Sequence, residues 1–313
     1  NKNNFEGFQI PVFACQLAQD VENHKKKLIG KKILEVKLDG VRAISILYPS
    51  GKVDIFSRNG KELLNFDHLK DILRESINEN KIKVPTVLDG EIISDNFQNL
   101  MKQIHRKVTV QNSDACLYLF DILPFENFKK GFYEVDYAQR SNELIEWYQS
   151  HIVDKKKVQI IEKKSVNLDD DNGKEQFKQF NKDSIINGHE GIMIKDPNSF
   201  YECKRSTTWL KSKPFIEISL QVTDFEEGTG RNAGRLGAII AEGEDEGKFF
   251  KLNIGSGFTD EQRLQYWEKK KDLIGQVVEV RADSISKSQD GSNWSLRFPR
   301  FKTFRGFEKN EKI

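Results

Sequence analysis

The sequence predicts an α+β protein with two domains, of which the first mixes antiparallel sheets with helices and the second is mostly strands. A chain of 313 residues is long enough for two domains of ordinary size. Short apolar runs bounded by turn residues alternate with a few segments of helical periodicity as far as Pro214. After Pro214 the sequence is almost entirely short β runs and glycine-rich turns. This change in pattern predicts domains at residues 1–214 and 215–313.

In the first domain the runs at 33–36, 43–48 and 53–57 predict a meander, with turns at Asp39-Gly40 and at residues 49–51. Spaced apolar positions predict a short helix at 17–28 and longer helices at 66–77, 137–150 and 174–187. Further strands are predicted at 87–93, 116–123, 158–161 and 191–194.

In the second domain strands are predicted at 217–225, 237–242, 248–254, 277–281 and 296–298. One helix at 259–273 interrupts them, with Thr259 as its N-cap. About five strands with one helix are typical of a small OB-type β-barrel.

Composition limits the classes of partner only weakly, because the formal net charge is +2. Basic residues are concentrated after residue 280, where eight Lys and Arg face four acids, and again at Lys204, Arg205, Lys211 and Lys213. Such clusters are typical of phosphate-binding patches, and an ordinary lysine-rich surface is the alternative for any one of them.

Three widely spaced cysteines, Cys15, Cys116 and Cys203, match neither a disulfide framework nor a four-cysteine zinc site. Reduced thiols in a cytoplasmic protein are therefore expected. No apolar run reaches the length of a membrane span, no signal peptide is visible, and nothing in the sequence indicates more than a monomer.

The segment K-L-D-G-V-R at residues 37–42 lies between two apolar runs and reads as a turn that joins two strands. Lys37 would then stand at the mouth of a β core, where nearby cations and partial burial favour the neutral, nucleophilic amine. Taken alone, the same six residues favour a solvated hairpin.

Five further motifs follow in order: S-R-N-G at 57–60, L-D-G-E-I at 88–92, Y-L-F-D-I-L at 118–123, E-G-I-M-I-K at 190–195 and W-L-K-S-K at 209–213. This series resembles the successive motifs of the covalent nucleotidyltransferases, and most closely those of ATP-dependent DNA ligases. The resemblance runs from about residue 16 to 304. It implies an ATP-grasp-like nucleotidyltransferase domain followed by an OB-fold domain.

The resemblance implies that Lys37 forms a covalent bond to AMP and that Glu35 recognises the adenine amino group. Arg42 and Arg58 would bind ribose and phosphate oxygens, a role that suits planar guanidinium donors. Phe120 would stack on the adenine, with an ordinary core aromatic as the alternative.

Glu91 and Glu190 would together hold Mg²⁺, which prefers one or two carboxylates with water and phosphate. The alternative for either acid alone is a surface carboxylate. Lys195, Lys211 and Lys213 would neutralise the triphosphate and assist the departure of pyrophosphate.

In the second domain, G-T-G-R-N-A-G at 228–234 is similar to a glycine- and arginine-rich loop of ligase OB domains, which implies DNA contacts by Arg231 and Arg235. S-L-R-F-P-R-F at 295–301 is similar to the end of that domain and implies further contacts by Arg297, Arg300 and Arg305. The family continues to an Arg-x-Asp-Lys motif, for which Arg305 and Lys309 are candidates, although this chain has an extra residue and a Glu in place of the Asp.

ATP is the expected cofactor with Mg²⁺, since only 36 residues precede Lys37 and the cysteines of a zinc module are missing. The resemblance implies a minimal two-domain ligase of bacteriophage or viral type, which seals nicked duplex DNA in replication, repair or recombination through backbone contacts. An RNA ligase or a GTP-dependent mRNA capping guanylyltransferase is the alternative.

Overall fold

The computed structural model describes residues 14–94, 111–287 and 293–307 in full, together with the backbone of residues 3–5 and 8–10. Within the chain, contacts separate two compact units, Asn1–Lys213 and Pro214–Lys312. Each unit has its own buried apolar core and is described by itself.

The first unit contains fourteen described strands and four α-helices. The strands are β1 (Asn3–Phe5), β2 (Phe8–Ile10), β3 (Leu17–Asp20), β4 (Lys31–Lys37), β5 (Val41–Leu47), β6 (Val53–Phe56), β7 (Thr86–Ile93), β8 (Cys116–Pro124), β9 (Phe132–Tyr133), β10 (Val158–Ile160), β11 (Lys163–Asn167), β12 (Gly191–Lys195), β13 (Tyr201–Glu202) and β14 (Arg205–Ser212). The helices are α1 (Asp67–Glu79), α2 (Phe125–Lys130), α3 (Tyr137–His151) and α4 (Asp171–Ile186).

Two five-stranded sheets form the body of this unit. One has the order β10-β8-β7-β5-β6 and the other the order β11-β4-β12-β14-β3. Neighbouring strands are antiparallel except for β10 beside β8 and β14 beside β3. A large apolar core lies beneath α1 and α3, and a second core, which includes Ile44, Phe120 and Trp209, joins side chains from both sheets.

The predicted meander is wrong at its first connection. β4 and β5 follow each other along the chain but belong to different sheets, so residues 38–40 cross from one sheet to the other rather than close a hairpin. The second connection is the expected one, since β5 pairs antiparallel with β6. Gly40 is required at the crossing by close approach, because a Cβ atom there would lie 2.1 Å from the carbonyl oxygen of Ile92.

The helix predicted at 17–28 is also wrong. Leu17–Asp20 is the edge strand β3, and two short 3₁₀ turns follow at Val21–Asn23 and Lys25–Lys27. The Asp20 carboxylate accepts a hydrogen bond from the Glu22 amide and so caps the first turn. The spaced apolar residues in this segment belong to an edge strand and to 3₁₀ turns. Their spacing alone does not distinguish this arrangement from a helix. The other predicted helices of this unit are confirmed, with ends shifted by one to three residues.

The described residues of the second unit form one seven-stranded sheet, with two short α-helices on the chain between β17 and β18. Its strands are β15 (Ile216–Glu227), β16 (Leu236–Asp245), β17 (Lys248–Ile254), β18 (Val277–Ala282), β19 (Ser284–Lys287), β20 (Trp294–Arg297) and β21 (Arg300–Gly306), and its helices are α5 (Asp260–Glu268) and α6 (Lys270–Leu273).

The strand order of this sheet is β19-β20-β17-β16-β15-β18-β21. Thr259 caps α5 as predicted, in a capping box with Gln262. The single predicted helix is divided at Lys269, and two more strands are described than the sequence predicted.

Candidate active site

Lys37 is the last residue of β4, at the point where the chain leaves its sheet. Its Nζ donates a hydrogen bond to Glu190 Oε2 at 3.0 Å, and the Glu190 amide donates to the Lys37 carbonyl at the same distance. Glu190 directly precedes β12, where Gly191 pairs with Lys37. Side chain and backbone therefore both fix the lysine beside this carboxylate.

Gly191 permits this close arrangement. Its φ is +143°, and a Cβ atom would lie 2.0 Å from the carbonyl oxygen of Ser212 on β14. β12, which begins directly after Glu190, therefore lies close to β14. Lys213 is the residue after β14, and its Nζ lies 3.8 Å from Glu190 Oε2. Two lysines converge on one carboxylate whose side chain is 7% exposed.

Glu91 joins this group from the other sheet. It lies on β7 opposite Arg42 of β5. The pKa of Glu91 is raised to about 7, because desolvation, together with the charges of Glu190 and Asp39, outweighs the lowering effect of Lys37 and Arg42. The influence of both Lys37 and Glu190 on Glu91 indicates that the two predicted metal ligands lie near the same amine.

The described residues include no group of three or more His, Cys, Asp or Glu side chains that could hold a metal ion. Mg²⁺ requires fewer, since it is commonly bound by one or two carboxylates with substrate phosphates and water. The charge of Glu190 raises the pKa of Glu91, and a cation beside both carboxylates would offset that repulsion. Glu91 and Glu190 therefore provide the carboxylate donors that a magnesium site of this kind requires.

Arg42 is held by Asp89 of β7. Its Nε and Nη2 donate to the two carboxylate oxygens at 2.6 and 2.7 Å, and Nη2 also donates to the Gln16 carbonyl at 2.9 Å. The Tyr201 hydroxyl donates to the same carboxylate at 2.7 Å. Most donors of Arg42 are therefore used within the protein, a structural role that the sequence reasoning did not assign to this Arg–Asp pair.

Arg58 lies in the turn that follows β6, half-buried beside Cys15. Burial raises the pKa of the Cys15 thiol, although the positive charges of Arg42 and Arg58 oppose that rise. Both predicted arginines therefore lie near one buried thiol. The charges of Asp89 and Glu91 also act on this thiol and raise its pKa.

Glu35 is buried within β4 and has three polar partners. Tyr137 donates a short hydrogen bond to it, Lys163 Nζ lies 3.2 Å from Oε2 and Lys195 Nζ lies 2.9 Å from Oε1. Burial alone would raise the pKa of Glu35, but Lys163, Lys195 and the Tyr137 hydroxyl outweigh it and hold the pKa below its usual value.

Lys195 is buried among aromatic rings. Its side chain is 2% exposed, and its Nζ lies 3.9 Å from the Trp209 ring centre and 4.2 Å from that of Phe120. It is four residues along β12 from the position opposite Lys37, a distance of about 13 Å. Lys195 pairs with Glu35, because a buried ammonium requires a charged partner, and its role toward the triphosphate stays a prediction.

Phe120 lies on β8 and is 8% exposed, with its ring edge-to-face with Trp209 at 5.8 Å. It belongs to the core that joins the two sheets, as expected for an ordinary core aromatic. Stacking of Phe120 on adenine stays a prediction.

Met193 lies beside Glu35 and Lys211, and the sequence analysis did not select it as a site residue. It pairs with Glu35 on one side and with Lys211 on the other, is half-buried and packs against the core that contains Phe120. The hydrophobic position inside E-G-I-M-I-K was the available signal.

Of the five arginines predicted to contact DNA in the second unit, Arg231 and Arg297 are exposed, while Arg235 and Arg300 are half-buried. Arg300 donates to Asp283 at 3.0 Å. Arg305 is 6% exposed and forms a short ion pair with buried Glu279, so its guanidinium has a partner within the protein. Its contact with DNA stays a prediction. Lys309 lies outside the described residues.

Comparison with known proteins identifies the first unit. Residues 11–213 match the family described as the ATP dependent DNA ligase domain. The chain belongs to this family. Residues 227–305 of this ATP-dependent DNA ligase family member match the DNA ligase OB-like domain, which confirms the predicted nucleotidyltransferase and OB folds.

DNA ligase 2 of Methanosarcina acetivorans is 28% identical over 323 residues, covering 93% of this chain and 55% of that protein. A solved structure named Pmar-Lig_PreS3 is 52% identical with a TM-score of 0.66, over 94% of this chain and 68% of the other. The ATP-dependent DNA ligase from bacteriophage T7, solved in complex with ATP, shares the fold at 20% identity and a TM-score of 0.52, over 95% and 99% of the two chains. The chain spans about half the length of the curated relatives that it matches.

No α-helix in the described part of the chain is long and apolar enough to cross a membrane.

Proposed function

We propose that this protein is an ATP-dependent DNA ligase that seals nicks in duplex DNA through a covalent Lys37–AMP intermediate. The observation that carries the proposal is the 3.0 Å contact between Lys37 Nζ and Glu190 Oε2, in a chain of the ATP-dependent DNA ligase family. Residues 1–214 are the adenylation domain and residues 215–313 the OB-fold domain. Relatives named DNA ligase support this function over RNA joining or capping.

In the first step the Lys37 amine attacks the α-phosphorus of ATP. A P–N bond forms, the bond from the α-phosphorus to the bridging oxygen breaks, and pyrophosphate leaves with that oxygen. The attacking amine must be neutral, and its nitrogen loses one of its two protons to solvent as the P–N bond forms. Glu190 Oε2 accepts a hydrogen bond from the amine and so orients it toward the nucleotide.

Cations around the amine assist this step. Lys213 contributes positive charge 3.8 Å from Glu190, and Lys211 follows Leu210 on β14 beside Met193. Glu91 and Glu190 would hold Mg²⁺, which supplies charge neutralisation to the phosphates when bound. Positive charge near Lys37 also favours its neutral form.

In the later steps AMP passes from Lys37 to the 5′-phosphate of a nick. The 3′-hydroxyl then attacks that phosphate, the new phosphodiester forms and AMP leaves. Arg231, Arg235, Arg297 and Arg300 would contact the DNA backbone, with no base preference. We propose that the protein acts as a monomer. The free thiols of Cys15, Cys116 and Cys203 support a reducing compartment such as the cytoplasm.

The test uses ATP labelled at the α-phosphate, Mg²⁺ and a nicked duplex. We expect a labelled protein band and joining of the nick. Lys37→Ala should abolish both, and Lys37→Arg should do the same because a guanidinium stays protonated. Lys52→Ala is the matched control, because Lys52 is half exposed and its Nζ lies 3.3 Å from Asp54 Oδ2. A label that requires GTP, or joining that survives Lys37→Ala, would contradict the proposal.

A further inference from the structure

The loop that joins β15 to β16 carries two of the arginines proposed to contact DNA. Residues 228–235, here called the arginine loop, include Arg231 and Arg235. The Gly228 amide donates a hydrogen bond to the Arg235 carbonyl at 2.9 Å, and a Cβ atom on Gly237 would lie 2.8 Å from the Gly228 Cα atom. The two ends of the arginine loop are therefore held together, and the start of β16 determines where the loop is placed.

Arg263 binds the start of β16. It lies on α5, one turn after the N-cap residue Thr259. Its Nη1 donates to the carbonyl oxygens of Leu236 and Gly237 at 2.8 and 3.0 Å, and its Nη2 donates to the Gly255 carbonyl at 2.8 Å. Three of the five N–H donors of the guanidinium are therefore used by main-chain carbonyls of the protein.

The third carbonyl, that of Gly255, belongs to a segment that contacts β21 beside Arg300. Gly255 directly follows β17, and the carbonyl of the next residue, Ser256, accepts a hydrogen bond from the Phe301 amide at 2.8 Å. A Cβ atom on Gly257 would lie 2.5 Å from the Phe301 carbonyl oxygen, so the two segments are in close contact. One guanidinium thus connects the strand after the arginine loop to the segment that holds the start of β21.

The aromatic ring of Phe258 orients this guanidinium. Arg263 Cζ lies 5.2 Å from the centre of the Phe258 ring, which itself stacks on Phe301 at 4.7 Å between ring centres. The donors of a guanidinium point in fixed directions within one plane, whereas an ammonium is a compact charge on a flexible stem. Arginine is therefore suited to hold carbonyls from two chain segments at a fixed separation.

We propose that Arg263 is a positioning residue that holds the arginine loop and the segment at Arg300 in a fixed relation, so that both contact the phosphate backbone of one duplex. The inference rests on the proposed function and on Arg231 as a phosphate contact. Arg263 acts through these residues, since its own donors face the protein.

The loss of Arg263 should weaken DNA contacts that other residues make. The arginine loop would keep its local hydrogen bonds, such as the one that the Gly234 amide donates to Glu227 Oε1 at 2.9 Å. It would lose its fixed relation to the segment at Gly255. DNA binding would then have to order the two segments, and the entropy cost of that ordering lowers affinity.

The experiment titrates a nicked duplex with the full chain at several salt concentrations. It compares wild type, Arg263→Met, Arg231→Ala and the double variant. Each single variant should lower the slope of log affinity against log salt by about 1. The double variant should lower it little further, because residues that act through one another are not additive. In nick joining, the half-saturating DNA concentration of Arg263→Met should rise about fivefold while the maximal rate changes less than about twofold.

Thr259→Ala is the matched control. Thr259 Oγ1 accepts a hydrogen bond from the Gln262 amide at 3.0 Å, so its loss destabilises the same helix without removing the guanidinium. It should leave the salt slope unchanged. Arg263→Lys is a second variant that keeps the charge but not the planar donors, and it should lower the slope as Arg263→Met does. If Arg263→Met does not fold, Arg263→Lys takes its place beside Arg231→Ala.

Additive losses in the double variant would overturn the inference, since they would show that Arg263 and Arg231 act independently. A loss of slope in Thr259→Ala as large as that in Arg263→Met would also overturn it, because general destabilisation of the helix would then explain both. So would an unchanged slope in Arg231→Ala or in Arg263→Lys. Failure of the proposed function looks different, because wild type would then form no covalent adduct with ATP and join no nick.

Discussion

Arg42 and Asp89 form a buried ion pair in which two guanidinium nitrogens donate to the two carboxylate oxygens. The Asp89 side chain has no exposed surface and that of Arg42 has 13%. The pair joins neighbouring strands β5 and β7, directly beside the crossing that positions Lys37. Its contribution to stability depends on both partners being present, because either charge alone would be buried without compensation.

Asp89→Asn should therefore destabilise the first unit by about 3 kcal/mol, the lower end of the loss expected when one partner of a buried pair is removed. Urea unfolding measures this change. Asp71→Asn is the control, because Asp71 pairs with Arg74 on the exposed face of α1 and should cost less than about 0.5 kcal/mol. Similar losses in both variants would show that the Arg42–Asp89 pair has no special role.

Glu91 should make stability depend on pH. Desolvation raises its pKa from 4.5 to about 7 in the folded protein, so the folded chain keeps a proton that the unfolded chain has already lost. The contribution of Glu91 to stability therefore falls as pH rises from 4.5 to about 7. Glu91→Gln removes this dependence, so in magnesium-free buffer its stability relative to wild type should increase with pH across that range.

Urea unfolding of both proteins at pH 5, 6, 7 and 8 is the measurement for Glu91, with Glu79→Gln at the exposed end of α1 as the control. The difference between Glu91→Gln and wild type should level off above about pH 7, where Glu91 is ionised in both states. A difference that does not vary with pH would contradict the assignment.

Lys213→Met should slow the chemical step more than it weakens the fold. Lys213 is the second cation on Glu190, and its loss removes charge that would act on the phosphates. We expect the maximal rate of self-adenylation to fall about tenfold, equivalent to ~1.4 kcal/mol in the barrier. Lys25→Met is the control, because that lysine is largely exposed and pairs with Glu22 at the surface. An unchanged rate in Lys213→Met would exclude a role in the transfer of AMP.

The arginines of the second unit should separate into two classes. Arg305→Ala removes the partner of buried Glu279 and should lower stability by about 3 kcal/mol. Arg231→Ala and Arg297→Ala should leave the unfolding temperature unchanged but weaken binding to nicked DNA. Each should lower the slope of log affinity against log salt by about 1, as for one lost phosphate contact. Titration at several salt concentrations measures the slope, and an unchanged slope in both variants would contradict the proposed DNA contacts.

Local sequence patterns predicted most helices and strands, because each carries its own periodicity, turn residues or cap, as Thr259 does for α5. They did not predict which sheet a strand joins. The meander failed at residues 38–40 because pairing of β4 with β11 and β12 depends on residues more than a hundred positions away. The contact between Lys37 and Glu190 joins residues 153 positions apart, and neither local sequence predicts it.

The roles of Lys195 and Arg305 could not be deduced in the same way. A lysine or arginine in a motif is equally suited to a phosphate or to a buried carboxylate, and only the folded packing brings Glu35 and Glu279 against them. Tyr137 carried no signal in the sequence, since a tyrosine at the start of an amphipathic helix is ordinary core material.

The three-residue crossing between β4 and β5 also restricts how this chain can be altered. Four residue steps from Lys37 to Val41 span at most about 14 Å, so the crossing limits how far the two sheets can separate beside the nucleophile. Loops at a protein surface usually accept inserted residues, and the turn at residues 49–51 is such a place. Residues 38–40 instead hold two sheets close together. An insertion or a circular permutation there would let the reactive lysine move away from the sheet that carries Arg42 and Glu91.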